Sequence, residues 1–450
     1  MNVIMKKNDL VKLHIEDISA EGMGVGRVDG MVVFVPYGAI GDFLQALIVK
    51  VNKNHAYAKI REILTSSADR VENDCPVFGK CGGCAYRHIS YDAELLAKRA
   101  VADAALRRIG GVDARLDMII PSPQISNYRN KAVLPFGGGG GDMRLGFYAE
   151  RSHRFVSIEN CPLCPRIFGE IQKYILDMLN DGGISAYDEG TGRGLMRHLY
   201  LRRGRDSLSV AFVINGKHIP GEETMAAALL QKFPEITGIL VNPHSKPGNV
   251  VIGDKFRLLY GDGHIRDEFC GLDMRIHPRS FYQVNAPAAE LLYQNALSMA
   301  ELMPGERVLD LYCGTGAIGL FFAKKRHDIS VTGVEIEERA VADALENAKA
   351  NNLANISFTR ADLSSAPATA GYTTIVVDPP RRGLDAATAA ALNAAGARQI
   401  IYISCNPATL ARDIRLIPAY APAAVRAVDL FPRTKHVELV ALLRQISHQV

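Results

Sequence analysis

Hydrophobic and polar positions alternate with a period of two over Leu10-Val-Lys-Leu-His-Ile-Glu, and apolar runs follow at Met31-Val-Val-Phe-Val-Pro and Phe43-Leu-Gln-Ala-Leu-Ile-Val-Lys-Val. Gly22, Gly24, Gly26 and Gly30 punctuate these runs, which predicts short strands forming a small OB-like β-barrel of about five strands over residues 1–62. Residues 63–275 read as a central α+β domain. A long helix is predicted from Ala93 to Ile109, ending at Gly110-Gly111, and strands such as Leu208-Ser-Val-Ala-Phe-Val-Ile-Asn come later. The five glycines at 137–141 suit a hairpin tip. Over residues 276–450 apolar strands alternate with alanine-rich helices, the pattern of a Rossmann-like, mostly parallel, doubly wound sheet. The expected fold class is therefore multi-domain α/β.

A chain of 450 residues is long enough for two or three domains with their own cores. Hydrophobic residues at 48% and charged residues at 22% exclude wholesale disorder and fibrous architecture. No apolar run reaches the length of a membrane-spanning helix, and the start at Met1 lacks the apolar core of a secretory signal, so a cytoplasmic protein is expected. The net charge of +4 is too balanced to demand nucleic acid by itself. No feature calls for an obligate protein partner, and a monomer is expected.

Chemistry concentrates at the ends of the C-terminal strands. Arg307-Val-Leu-Asp-Leu-Tyr-Cys runs into Gly314-Thr-Gly316-Ala-Ile-Gly319 and a helix, a turn where glycines admit a ligand close to the backbone. The next strand ends in Glu335, placed to hold two ribose hydroxyls. That turn alone permits either a dinucleotide oxidoreductase or an S-adenosylmethionine (SAM) enzyme. Downstream, Thr373-Thr-Ile-Val-Val-Asp378 and Gln399-Ile-Ile-Tyr-Ile-Ser-Cys405 are strands joined through a helix, so Asp378 and Cys405 are expected at the same sheet edge as Gly314 and Glu335.

Glu21-Gly-Met-Gly-Val-Gly-Arg-Val-Asp-Gly with Val33-Phe-Val-Pro and Gly41-Asp resembles the TRAM domain, a small RNA-binding barrel. Five further segments, Ser280-Phe-Tyr-Gln-Val-Asn, Asp310-Leu-Tyr-Cys-Gly-Thr-Gly, Asp378-Pro-Pro-Arg-Arg-Gly, Ile403-Ser-Cys-Asn-Pro-Ala-Thr-Leu-Ala-Arg-Asp and Asp429-Leu-Phe-Pro-Arg-Thr-Lys-His-Val-Glu438, resemble the ordered motifs of the RNA uracil-5-methyltransferases. With the barrel and the clustered cysteines the chain is especially similar to the 23S ribosomal RNA branch. The resemblance covers essentially the whole chain. It implies SAM contacts from Gln283, Tyr312, Glu335 and Asp378, beside Gly314 and Gly316 of the glycine turn, with Asp362 a candidate for the adenine end, and RNA, foremost 23S rRNA, as partner.

Uracil C5 is a poor nucleophile until a thiolate adds to C6 and breaks the ring conjugation. Cys405, in Ser-Cys-Asn-Pro, is the candidate nucleophile, and Glu438, in an apolar strand where desolvation raises a carboxyl pKa, is the candidate base for the C5 proton. His436 reads as a hydrogen-bonding neighbour, and Cys313 and Cys270 as packing residues. A cytosine-5-methyltransferase uses similar chemistry, but resemblance to that family calls for Pro-Cys where Pro380-Arg381 stands. A noncatalytic RNA-binding protein needs neither Cys405 nor Glu438, and a transfer-RNA substrate stays open.

The other cysteines cluster. Cys81-x2-Cys84 with Cys161-x2-Cys164 has zinc-ribbon spacing, whereas the family resemblance implies a 4Fe-4S cluster on Cys75, Cys81, Cys84 and Cys161, leaving Cys164 spare. Arg193, Arg197, Arg202, Arg203 and Arg205, together with Tyr128-Arg129-Asn130-Lys131, carry the charge and aromatic character suited to RNA. The expected organisation is a TRAM RNA-binding barrel over 1–62, a central iron-sulfur and RNA-binding domain over 63–275, and a SAM-dependent methyltransferase domain over 276–450.

Overall fold

The computed structural model describes residues 5–111, 116–139, 141–150, 152, 154–248, 250–365 and 367–446. Residues 1–4 of the N-terminal start and Gly140 of the glycine run lie outside them.

The N-terminal unit is a six-stranded sheet in the order Leu10–His14, Phe43–Val51, His55–Thr65, Met31–Pro36, Met23–Val28, Asp17–Ile18. That is one strand beyond the expected number, the extra being the two-residue Asp17–Ile18. Alternation puts Leu13, Val33, Val35, Leu44, Ile48 and Ala56 inside a curled sheet. The sheet bends sharply enough that a Cβ on Gly26 would lie 2.2 Å from the carbonyl oxygen of His14, so only glycine fits there.

The central unit is a seven-stranded sheet, Phe155–Ser157, Arg144–Tyr148, Lys131–Gly137, Met196–Arg203, Leu208–Ile214, Ile236–Pro243, Arg257–Gly261. Only Leu208–Ile214 and Ile236–Pro243 run parallel, and the helix Glu222–Lys232 supplies their crossover. The helix Arg166–Asp181 buries Phe168, Ile171, Ile175 and Leu179 in the same core. Strands Lys131–Gly137 and Arg144–Tyr148 pair antiparallel on either side of the glycine run.

The C-terminal unit is an eight-stranded sheet, Ile356–Arg360, Ser330–Glu335, Arg307–Leu311, Thr374–Val377, Gln399–Ser404, Glu438–Gln445, Tyr420–Val428, Met118–Ile120. The first five strands are parallel, as the alternation of strands and helices predicts, and Glu438–Gln445 reverses direction beside Gln399–Ser404. Its edge strand, Met118–Ile120, comes from the 63–275 segment. So does the helix Tyr91–Arg108, whose Ala102 and Leu106 share a core with Leu410, Ile414 and Tyr420. The hairpin Ile265–Phe269 and Leu272–Ile276 likewise buries its apolar face with Leu292 and Tyr293 of the helix Ala286–Ala300. Local patterning marks an apolar face without saying what covers it, so these segments cross the boundaries read from composition. No helix among the described residues is long and apolar enough to cross a membrane.

Candidate active site

Parallel register aligns the strand ends at Leu311, Glu335, Val377 and Ser404, and the turns after them open onto one cavity of about 540 Å³. Because Glu438–Gln445 is antiparallel to Gln399–Ser404, it begins where its neighbour ends: Ser404 faces Leu439, which sets Glu438 beside Cys405. The cavity is lined by Gln283, Tyr312, Gly314, Glu335, Asp362, Asp378, Cys405 and Glu438. All but one of the residues proposed from sequence for SAM and for catalysis thus line one cavity.

The exception is Gly316. It caps the helix Ala317–Lys325 in a left-handed conformation, φ 79°, and a Cβ there would lie 2.6 Å from the Phe358 ring. Packing against Phe358 requires that glycine, which is buried and stands outside the cavity lining. Gly314 does line the cavity, and its N–H donates to Glu335 Oε2 at 3.0 Å. Glu335 Oε1 accepts from the N–H groups of Ile336 and Glu337, at 2.8 and 3.0 Å, so the backbone holds this carboxylate in place. Tyr312, also left-handed at φ 62°, donates its hydroxyl to Thr388 Oγ1 at 3.2 Å. Asp362 is exposed at the rim and accepts from the Ser364 N–H.

Cys405 sits between a strand end and a helix start. Asn406 caps the helix Pro407–Leu416 by accepting from the Ala408 N–H at 3.0 Å, and Pro407 occupies the first turn, where its missing N–H costs nothing. The adjoining Asp378-Pro-Pro-Arg-Arg-Gly loop is held from the same helix. Asp413 Oδ2 accepts from Leu384 N–H at 2.8 Å and from the Tyr402 hydroxyl at 2.6 Å, while Arg412 donates to the Arg382 carbonyl. Arg412 and Asp413 stand inside the Cys405 motif, but nothing in the motif showed that they brace a loop a full strand and helix upstream.

Burial dominates the electrostatics. Glu438 is buried and its carboxyl is lifted to about 8 by loss of water, reinforced by Asp378 and opposed by Arg381. Asp378 rises to about 7 by burial alone. Asp310, beneath the glycine turn, rises to about 8 through burial and Asp378, although it accepts from the Gly319 N–H at 3.0 Å. The Cys405 thiol is pushed up to about 11, first by burial and then by Glu438, with Arg381 pulling it down. It is therefore protonated near neutrality, not poised as a thiolate. His436 falls to about 4 through burial and the charge of Arg381. Its ring meets Phe431 edge-on at 6.0 Å, and no ring hydrogen bond forms among the described residues, in place of the one expected. Cys313 and Cys270 are buried, in keeping with packing roles. Phe281, Arg381, Asp385 and Phe431 also line the cavity. Arg381 and Phe281 were visible within the quoted motifs, yet only the folded wall singles them out.

The clustered cysteines meet where the loop 66–90 faces the turn before the helix Arg166–Asp181. Burial raises Cys81 and Cys84, and both also feel the charge of Cys161, while Cys75 acts on Cys81 and Arg87 stands beside Cys84. The turn itself is pinned by Asn127 and Arg129, whose N–H groups donate to the carbonyls of Pro162 and Leu163. Cys164, expected to be spare, hydrogen-bonds Cys161. Among the described residues no three His, Cys, Asp or Glu side chains are disposed as around a single metal ion.

The arginine-rich segment is not uniformly a surface. Arg202 is completely buried, donating to the carbonyl of Tyr282 at 3.2 Å, and Arg197 is buried and donates to the carbonyls of His244 and Lys246. The strand Met196–Arg203 is covered on both faces as far as Arg202, so both side chains are withdrawn from solvent. Tyr128 and Tyr200 are buried as well. Arg193, Arg203 and Arg205 are exposed, the last paired with Glu268.

Comparison with known proteins gives three family matches: the TRAM domain over residues 7–60, the methyltransferase small domain over 285–399, and the tRNA (uracil-5-)-methyltransferase family over 367–446. RNA methyltransferases of unassigned specificity from Halalkalibacterium halodurans and Listeria monocytogenes are 37% and 38% identical, each alignment covering 98% of both chains. The crystal structure of Pyrococcus abyssi tRNA (uracil-54, C5)-methyltransferase, in complex with S-adenosyl-L-homocysteine, superimposes with a TM-score of 0.77 at 27% identity, over 96% of this chain and 100% of that one. The chain belongs to the TRAM-containing RNA uracil-5-methyltransferases.

Proposed function

We propose that this protein methylates C5 of a specific uridine in 23S ribosomal RNA through a covalent bond between Cys405 and uracil C6. The observation that carries the reading is the convergence of Cys405 and Glu438 on one cavity whose other wall is a carboxylate-lined nucleoside cleft. The cleft suits SAM. Phe281 and Ile336, 67% and 51% exposed, offer uncovered apolar surface, and Glu335, Asp362 and Asp378 offer negative charge to a cationic nucleoside. Asp378, lifted by burial alone, gains from a cation placed beside it. Gln283, Tyr312, Gly314, Glu335, Asp362 and Asp378 would hold the cofactor, which when bound supplies an electrophilic methyl group.

Cys405 bonds to C6 as its thiol proton passes to solvent, a loss that the Arg381 guanidinium favours. Electron density then moves to C5, which becomes the nucleophile for the methyl group. Glu438 takes the remaining C5 proton, and Cys405 departs as the C5–C6 double bond reforms. The buried, raised carboxyl of Glu438 suits a proton acceptor working near neutrality. The target base must leave its stack to reach Cys405 at the cavity wall.

To Cys75, Cys81, Cys84 and Cys161 we assign a 4Fe-4S cluster, a reading supported by the influence of Cys161 on Cys81 and Cys84, by that of Cys75 on Cys81, and by Arg87 beside Cys84. With four protein ligands such a cluster has no open iron and would shape the RNA-binding unit. About four irons and four sulfides per chain are expected after anaerobic purification; stoichiometric zinc without iron would favour the Cys81, Cys84, Cys161, Cys164 alternative.

A second reading, transfer RNA as substrate, is favoured by the likeness to the Pyrococcus abyssi enzyme. Mapping 5-methyluridine in RNA from cells with and without the protein decides between them: loss of one position in 23S rRNA is expected, and loss confined to transfer RNA would move the proposal to that substrate. Cys405→Ala should abolish methyl transfer while SAM binding persists. Normal turnover by that variant would remove the covalent mechanism.

A further inference from the structure

A second cavity, of about 250 Å³, lies at the seam of the three units. Its walls come from the barrel through Tyr37 and Tyr57, from the cysteine loop through Gly82 and Gly83, and from the C-terminal motif through Lys435 and His436. His436 also lines the large cavity, so the two share a wall. At that size the smaller cavity falls just below the roughly 300–1,000 Å³ of pockets for drug-sized ligands, which suits a single nucleobase.

Its rim carries carboxylate acceptors. Lys435 Nζ is paired with Glu21 at 2.5 Å and with Glu150 at 3.3 Å. Carboxylate oxygens there can accept from a base edge that presents N–H donors. Beyond Tyr57 the outer face of the barrel continues as an aromatic trio. Phe34, His55 and Tyr57 are each half-buried, with ring centroids 5.3 to 5.6 Å apart. Alternation turns Ala56 and Ala58 inward and leaves Lys59 exposed on the same strand, so stacking surface and a cation for the backbone lie together.

We infer that the small cavity seats the base of an unpaired nucleotide flanking the target uridine, and that the RNA strand continues from it over Phe34, His55 and Tyr57. The cavity then reads sequence beside the reaction, with preference for amino-bearing bases. The inference rests on the large cavity being the uridine site, and its test does not require methyl transfer.

Full-length Cys405→Ala protein, without SAM, is titrated into single-stranded RNAs with one central uridine and 2-aminopurine placed at each flanking position in turn. One position is expected to show stacking-induced quenching. Adding Tyr57→Ala should remove that quenching and weaken binding by about tenfold or more, the loss expected for one stacked base, while Tyr57→Phe retains both. In protein with Cys405 intact, Tyr57→Ala should raise KM and leave kcat unchanged. Absence of quenching at every position, or quenching indifferent to Tyr57→Ala, overturns the subsite. If quenching behaves as expected but no 5-methyluridine forms in any RNA, the methylation reading fails instead.

Discussion

Lys98 Nζ and Asp429 Oδ1 form a buried ion pair at 2.7 Å, joining the helix Tyr91–Arg108 to the motif that carries Glu438. Lys98 also donates to Glu94 at 2.7 Å and to the Phe431 carbonyl at 3.1 Å, and Tyr91 donates its hydroxyl to Asp429 at 2.9 Å. A helix from the first quarter of the chain thus fixes the loop that aims His436 and Glu438.

Lys98→Met should be severely destabilising, because it strands two buried carboxylates; the loss expected on breaking a buried pair is about 3–5 kcal/mol. Chemical denaturation measures it. Adding Glu94→Gln and Asp429→Asn should recover most of the loss, and a Lys98→Met protein as stable as the parent would show that the network carries no net stability.

Glu438→Gln keeps the side-chain shape and removes the proposed base. Methyl transfer should still occur, but departure of Cys405 waits on the C5 proton. A protein–RNA adduct carrying the new methyl should therefore accumulate on denaturing gels, stronger than in the parent and absent when Cys405 is also replaced. Release of methylated RNA at the parental rate would pass the base role to His436 or water.

The stability contributed by the three buried carboxyls of the site should fall as pH rises from about 4.5 towards 8. The folded protein holds protons on Glu438 and Asp310, lifted to about 8, and on Asp378, lifted to about 7, whereas the unfolded chain releases them near 4. At these three groups the native state binds more protons than the unfolded one across that window, so each contribution is complete at the acid end and is lost as pH passes its folded value. Glu438→Gln should flatten this slope, and its Tm relative to the parent should be higher at pH 9 than at pH 6. Parallel Tm curves for the two proteins would contradict the raised carboxyl.

Arg381 is the cation that draws both Cys405 and Glu438 downward. Arg381→Met should shift the rising limb of the pH–rate profile to higher pH, with much of the lost rate regained in alkali, and Arg381→Lys should fall between. A uniform loss at every pH would assign Arg381 to substrate contact alone.

Local pattern was enough to locate most of the site. Gly314, Glu335, Asp378 and Cys405 each follow a short apolar strand, and parallel strands joined by helices bring their ends to one edge, so order along the chain becomes proximity in space. The chemistry proposed for Cys405 and Glu438 likewise comes from their motif context. Tertiary structure decided what depends on neighbours. Only the antiparallel return of Glu438–Gln445 shows why Glu438 stands beside Cys405, and only packing shows that Gly316 serves Phe358 and that Arg197 and Arg202 are interior. The Cys405 thiol is raised by burial, a property its motif context does not carry. Periodicity records which face of an element is apolar, whereas desolvation, pairing and the identity of the covering surface arise only when distant segments meet.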